Sequence, residues 1–173
     1  NQAVPEKAGL IEELRQLAEE LQVADRVVFT GRVEHSKLAH YFAALDATVI
    51  PRRPLPVCEL VSAIKPLEYL VAGKPLIASD VAPQANLLEQ GRLAWLFPKG
   101  NVDALAETIL KVMDAKPEEL IAKTEAGRAV VADNYLWNTT VAPMVRGLEN
   151  RAAKKPGPNI ACIMDDFTYQ SYS

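Results

Sequence analysis

Residues 57–80 read VCELVSAIKPLEYLVAGKPLIASD, and this window decides the fold. Residues 65–72 predict a helical stretch, with Gly73 suited to end it. Residues 75–78 follow at once as a short apolar run that reads as a buried strand. Around the helix start stand Glu59, Lys65 and Glu68, a carboxylate, a lysine and a second carboxylate. That arrangement suits a ligand carrying both hydroxyls and phosphate.

The same alternation continues on either side of the window. Upstream, Leu10, Leu14, Leu17 and Leu21 recur at helical spacing after Pro5, with Glu and Lys opposite, so the first helix has one apolar face. Residues 26–30, Arg-Val-Val-Phe-Thr closed by Gly31, predict a buried strand ending in a turn. Ser36 is placed to cap a second helix with Leu38, Tyr41, Phe42 and Leu45 inward, and residues 47–50 predict a strand stopped by Pro51. Downstream come a short helix near 84–89 and a strand at 93–97. Helix and strand in alternation imply a parallel sheet covered by helices, a Rossmann-like α/β fold.

After Gly100 the strands cease. Asn101 is a cap for a helix carrying Leu105, Ile109 and Val112, and helical stretches follow at about 118–133 and 137–151, with Tyr135 and Trp137 expected to pack between them. The expected organisation is one domain over residues 1–150, a linker at 151–158 (RAAKKPGP), and the start of a further domain at 159–173. A chain opening on Asn rather than Met reads as a piece of a longer polypeptide.

Composition narrows the chemistry. With 173 residues, 49% of them hydrophobic, and 24% charged, the chain buries a real core, which excludes disorder. A net charge of −3 supplies no field for a phosphate polymer, so nucleic acid is not an expected partner and anion recognition must be local. Cys58 and Cys162 lack metal-site spacing and number too few for a secreted disulfide framework. Reduced thiols and a cytoplasmic location follow, at a membrane surface or away from one. No apolar run approaches the length of a spanning helix.

In open parallel sheets ligands sit beyond the carboxyl ends of the strands, where loops pass into helix N-termini. Backbone N–H groups near 60–63 would face a diphosphate there, aided by the helix dipole, and Lys65 would add a point charge. Glu68 is spaced to accept from the vicinal hydroxyls of a ribose, and Glu59 from hydroxyls of a second sugar. A plainer reading stands beside this one: Glu68 as a first-turn carboxylate stabilised by the dipole, and Lys65 as an exposed helix-start lysine. Arg52 and Arg53, just past a strand, meet an acidic group or are simply solvated. His35 and His40 have no third ligand nearby, so no metal is expected. Asp165 and Asp166, beyond the Pro-Gly segment, read as a domain boundary rather than a metal-bridging pair.

Taken together, VVFTGRVEHSKLAHYFAALDATVIPRR, then CELVSAIKPLEYLVAGKPLIASDVA, then GRLAWLFPKGNVDALAETI resemble the carboxyl-terminal domain of retaining GT-B glycosyltransferases of the group 1 type. The resemblance runs from Asp25 to Trp137, about two thirds of the chain, and its central signature is specific. It implies that Glu68 binds the ribose of a nucleotide-diphosphate sugar and that Glu59 approaches the transferred sugar. The backbone of Val61, Ser62 and Ala63, with Lys65, approaches the diphosphate, while Gly31, Arg32 and Val33 lie near the base. No catalytic residue, metal or cofactor is implied; the nucleotide sugar is a substrate.

Two departures stand out. Eight residues separate Glu59 from Glu68, where the family often has seven, and Ala63 stands where relatives often have Pro. The family's amino-terminal, acceptor-binding domain and the basic pair preceding the first helix are not in this sequence, which implies an incomplete GT-B domain, inactive alone. Two other readings remain: a non-catalytic nucleotide-sugar sensor or interaction module, and part of a GT-B sugar-nucleotide epimerase.

Overall fold

A computed structural model describes residues 5–152. The residues up to Glu34 form one compact unit and those from His35 onward another.

The first unit is built on helix α1, Pro5–Glu20, whose Leu10, Leu14 and Leu17 remain 43–54% exposed. The chain then reverses at Gln22 (φ 56°) and makes a 3-10 turn, Ala24–Arg26. Residues 27–30 do not form the strand their composition predicts. A strand exists only in a ladder, and the three strands found among the described residues pair with one another alone. Val27 is extended, yet Val28 is 82% exposed. The Arg15 guanidinium lies 5.5 Å from the centroid of the Phe29 ring.

The second unit opens with a 3-10 turn, His35–Lys37, and helix α2, Leu38–Ala44. That turn absorbs Ser36, so Lys37 occupies the cap position and the expected side-chain cap does not form. Strand β1, Thr48–Ile50, ends at Pro51 as the ring requires. Two helices follow, α3 over Pro56–Leu60 and α4 over Lys65–Ala72, the latter closed by Gly73 at φ 67°. Then come β2, Leu76–Ser79, and α5, Ala82–Leu87, which starts earlier than expected because Pro83 occupies its first turn. After a 3-10 turn, Glu89–Gly91, comes β3, Trp95–Phe97, shorter than expected.

The sheet is parallel in the order β1-β2-β3, with Ile50 opposite Ala78 and Ser79 opposite Phe97. All four residues of β2 are buried, as a central strand covered on both faces demands. Alternation sends Ile50, Leu76 and Ala78 to one face, with Leu70 of α4 and Leu88. Ile77, Trp95 and Phe97 pack on the other face against Val112 of helix α6, Val102–Met113. Asn101 caps α6, its Oδ1 accepting from the Ala104 N–H at 2.9 Å.

Helix α7, Pro117–Asn134, closes the first face through Val131. The expected helix at 137–151 breaks into α8, Trp137–Thr140, and α9, Ala142–Ala152. Pro143 explains the break, since a helix interior rejects its ring but a first turn accepts it. Trp137 and Tyr135 are 71% and 44% exposed rather than packed among these helices. Because α9 reaches Ala152, the expected linker at 151–158 begins on a helix; its remainder and residues 159–173 lie outside the described residues. No helix among the described residues is long and apolar enough to cross a membrane.

Candidate functional site

The carboxyl ends of β1, β2 and β3 open on one edge, and the α3–α4 segment crosses it. Glu59 lies on a short helix ahead of the α4 start rather than in the first turn of α4. Pro56 follows an extended Leu55 and starts the five-residue α3, which carries Glu59. Each carboxylate oxygen of Glu59 has a partner from another strand exit. Oε1 pairs with Lys99 Nζ at 2.5 Å, just beyond β3, and Oε2 accepts from the Ala82 N–H at 3.0 Å, just beyond β2. The Lys99 hydrogen bond and then the Ala82 N–H hold this carboxyl below its ordinary value of 4.5, the Lys99 and Arg52 charges adding to them against some desolvation.

Lys99 is itself fixed, its own N–H donating to Asp80 Oδ1 at 2.7 Å. Arg52, beyond β1, donates from Nη1 to the Val61 carbonyl at 2.7 Å. The third internal brace is Gln84, 2% exposed, whose Nε2 donates to Ser79 O at 2.7 Å and reaches Ile50 O at 3.4 Å, joining the ends of β2 and β1. Its Oε1 is buried without a partner.

Between α3 and α4 runs a non-helical link, residues 61–64, beginning with Val61 in extended conformation. The backbone N–H groups of Ser62, Ala63 and Ile64 make no hydrogen bond among the described residues, and all three residues reach the surface. They immediately precede α4, whose first turn holds Lys65 and Glu68, both exposed. Three N–H donors, the positive end of a helix dipole, an ammonium and a carboxylate therefore share one short stretch. Chemically, the first three suit an oxyanion and the last suits hydroxyl donors.

Glu68 also lies on the rim of a groove of about 690 Å³, lined by His35 and Phe42, by Ile64 and Leu67, and by Val131. A smaller cleft of about 400 Å³ lies beside Arg52, Arg53 and Asn101. Gly31, Arg32 and Val33 belong to the unit that ends at Glu34, where Gly31 adopts φ 62°, a left-handed conformation that favours glycine. The structure thus brings Val61, Ser62, Ala63, Lys65 and Glu68 into one stretch with Glu59 on the adjoining helix. No group of three His, Cys, Asp or Glu side chains able to hold a metal occurs among the described residues.

Sequence reasoning missed Lys99, Asp80 and Gln84. Lys99 and Asp80 each stand directly after a strand, and strand ends in a parallel sheet converge on one edge, so position alone was the available signal.

Comparison with known proteins follows the same lines. A family described as Glycosyl transferases group 1 matches residues 4–115. The GDP-mannose-dependent alpha-(1-6)-phosphatidylinositol monomannoside mannosyltransferase of Mycobacterium tuberculosis is 28% identical over 136 residues, 78% of this chain and 35% of that protein. Among solved structures, sucrose-phosphate synthase from Thermosynechococcus elongatus superimposes with a TM-score of 0.67 at 25% identity, covering 83% of this chain and 35% of that one. HepE from Anabaena, solved with UDP and glucose, gives a TM-score of 0.69 at 19% identity over 89% of this chain and 39% of its own. The three-stranded parallel sheet with its helices is the Rossmann-like arrangement of these GT-B neighbours. The chain spans about a third of the length of the curated relatives it matches.

Proposed function

Because the chain belongs to the group 1 glycosyl transferases, we propose that it is the donor-binding part of an enzyme that moves a sugar from a nucleotide-diphosphate sugar to an acceptor. The diphosphate rests on the N–H groups of Ser62, Ala63 and Ile64 and on Lys65, at the start of α4, whereas the expected Val61 N–H is taken up by the Val57 carbonyl at 3.1 Å. Glu68 accepts from the ribose hydroxyls, Glu59 stands on the side of the transferred sugar, and Gly31, Arg32 and Val33 serve the base. Acceptor binding belongs to a further part of the protein, and a cytoplasmic setting suits the nucleotide sugar and the reduced Cys58.

The observation that carries this reading is the run of unpartnered amides at Ser62 and Ala63, directly ahead of a helix whose first turn bears Lys65 and Glu68. Unsatisfied N–H groups at a helix N-terminus attract phosphate, and a carboxylate three residues on is within reach of the adjoining sugar. The named relatives support the class: one depends on GDP-mannose and HepE was solved with UDP.

Calorimetry of the 173-residue chain with UDP and with GDP tests it. Binding of at least one is expected, and Glu68→Ala should weaken it roughly 10- to 100-fold, the loss of hydrogen bonds to a charged acceptor. Equal affinities for the wild type and the Glu68 variant would refute the ribose role.

A further inference from the structure

We propose that Arg52 and Lys99 are positioning residues for the donor diphosphate, acting by holding the 61–64 link in a receptive shape. The proposal rests on the donor-site reading above and adds to it the parts that preorganise the amides.

An amide cradle recognises an oxyanion well only if its N–H groups are already aimed, because reorienting them on binding consumes the gain. The link has little means of fixing itself. It lies between α3, five residues long, and α4, eight residues long, and isolated helices of such length are not stable in water. Its amides at Ser62, Ala63 and Ile64 make no hydrogen bond among the described residues.

The restraint comes from outside, and each strand exit supplies some of it. Beyond β1, Arg52 Nη1 grips the Val61 carbonyl at 2.7 Å, at the first residue of the link. Beyond β2, the Ala82 N–H holds Glu59 Oε2 at 3.0 Å, and Asp80 Oδ1 accepts from the Lys99 N–H. Beyond β3, Lys99 Nζ holds Glu59 Oε1. Glu59 sits in the last turn of α3, two residues before Val61, so the two grips fall within one turn's length of backbone.

Charge adds a second consequence. Lys99 neutralises a carboxylate at the same edge as the proposed diphosphate; without it, Glu59 would repel the very group the link receives. Loss of Lys99 should therefore fall on the phosphates of the ligand and spare the nucleoside.

The test compares UDP or GDP, whichever the wild type binds, with its nucleoside by calorimetry and competition, using Arg52→Ala, Arg52→Lys, Lys99→Met and the exchange Glu59→Lys with Lys99→Glu. Both single truncations should weaken the diphosphate by about tenfold, as for one charge-assisted hydrogen bond, while nucleoside affinity stays put. Arg52→Lys and the charge exchange should each restore part of the loss. Amide hydrogen exchange at Glu59 and Val61, whose N–H groups are bonded within α3 next to the link, should accelerate in the truncations, with protection elsewhere unchanged. Unaltered diphosphate affinity, or an equal loss for nucleoside and diphosphate, overturns the positioning role and leaves the donor site intact. Absence of any nucleotide binding by the wild-type chain overturns the donor site and the positioning role with it. If Arg52→Ala fails to fold, Arg52→Lys and Lys99→Met decide by the same comparison.

Discussion

Glu59 illustrates how little of a residue's role its identity fixes. A carboxylate near a helix start is as consistent with a sugar ligand as with an internal tie, and the structure gives each of its oxygens a protein partner. Those partners favour the ionised form and hold its pKa below 4.5. A carboxyl whose folded pKa is lowered stabilises the fold above its unfolded value and loses that contribution as pH falls through the folded one. Thermal midpoints followed from about pH 6 down to about pH 3 should thus decline more steeply in the wild type than in Glu59→Gln, the difference opening below the ordinary carboxylate range. Parallel profiles would show that the Lys99 pair does not contribute to stability. Being partly exposed, the pair should also weaken with salt. Lys123 shows the same tension differently: desolvation lowers its pKa while its Nζ donates to the Gly91 carbonyl at 2.6 Å, tying α7 to the turn before β3.

Among the elements, α4 matters most, because it carries Lys65 and Glu68 on one side and buries Leu70 on the other. Its seat is Gly127 of α7: a Cβ placed there would lie 2.7 Å from Leu70 Cδ2, and Leu70, 2% exposed, has no room to withdraw. Gly127→Ala should therefore destabilise by about 1–3 kcal/mol from overpacking, offset by up to about 1 kcal/mol of helix propensity. Urea unfolding would register this as a lower midpoint at unchanged slope, and an unchanged or raised midpoint would mean that α4 and α7 separate freely. The extent of α4 was legible in the sequence because local chemistry sets its end, Gly73 at φ 67°, and Pro66 in the first turn fits its start. Residues 26–30 misled for the opposite reason, since strand formation depends on a neighbour that composition does not reveal. Helix α3 was overlooked although Pro56 announced it, and the pairing of Glu59 with Lys99, forty residues apart, left no local trace. The contiguous stretch that carries the proposed site residues was thus readable as a helix start, whereas the groups that brace it came from three separate strand ends.

At the scale of the molecule, the proposed site offers groups for a nucleotide and little that acts on a sugar's anomeric carbon. Catalysis requires interactions stronger in the transition state than in the ground state, placed around both the departing nucleotide and the incoming acceptor. The proposed site holds the donor, with Glu59 toward the transferred sugar, and leaves the acceptor to a further part of the protein. Relatives that share this region are roughly twice as long, the 136 matched residues making up 35% of the Mycobacterium tuberculosis enzyme. Binding without turnover is therefore the expectation for the 173-residue chain. Incubated with a panel of UDP- and GDP-sugars, with and without acceptor sugars, it should release free nucleotide at the rate of buffer alone while still binding nucleotide by calorimetry. Release above that rate, abolished by Glu68→Ala, would show that this region holds the reacting groups itself and would move the chemistry to its own strand ends, Lys99 and Arg52 first among the candidates.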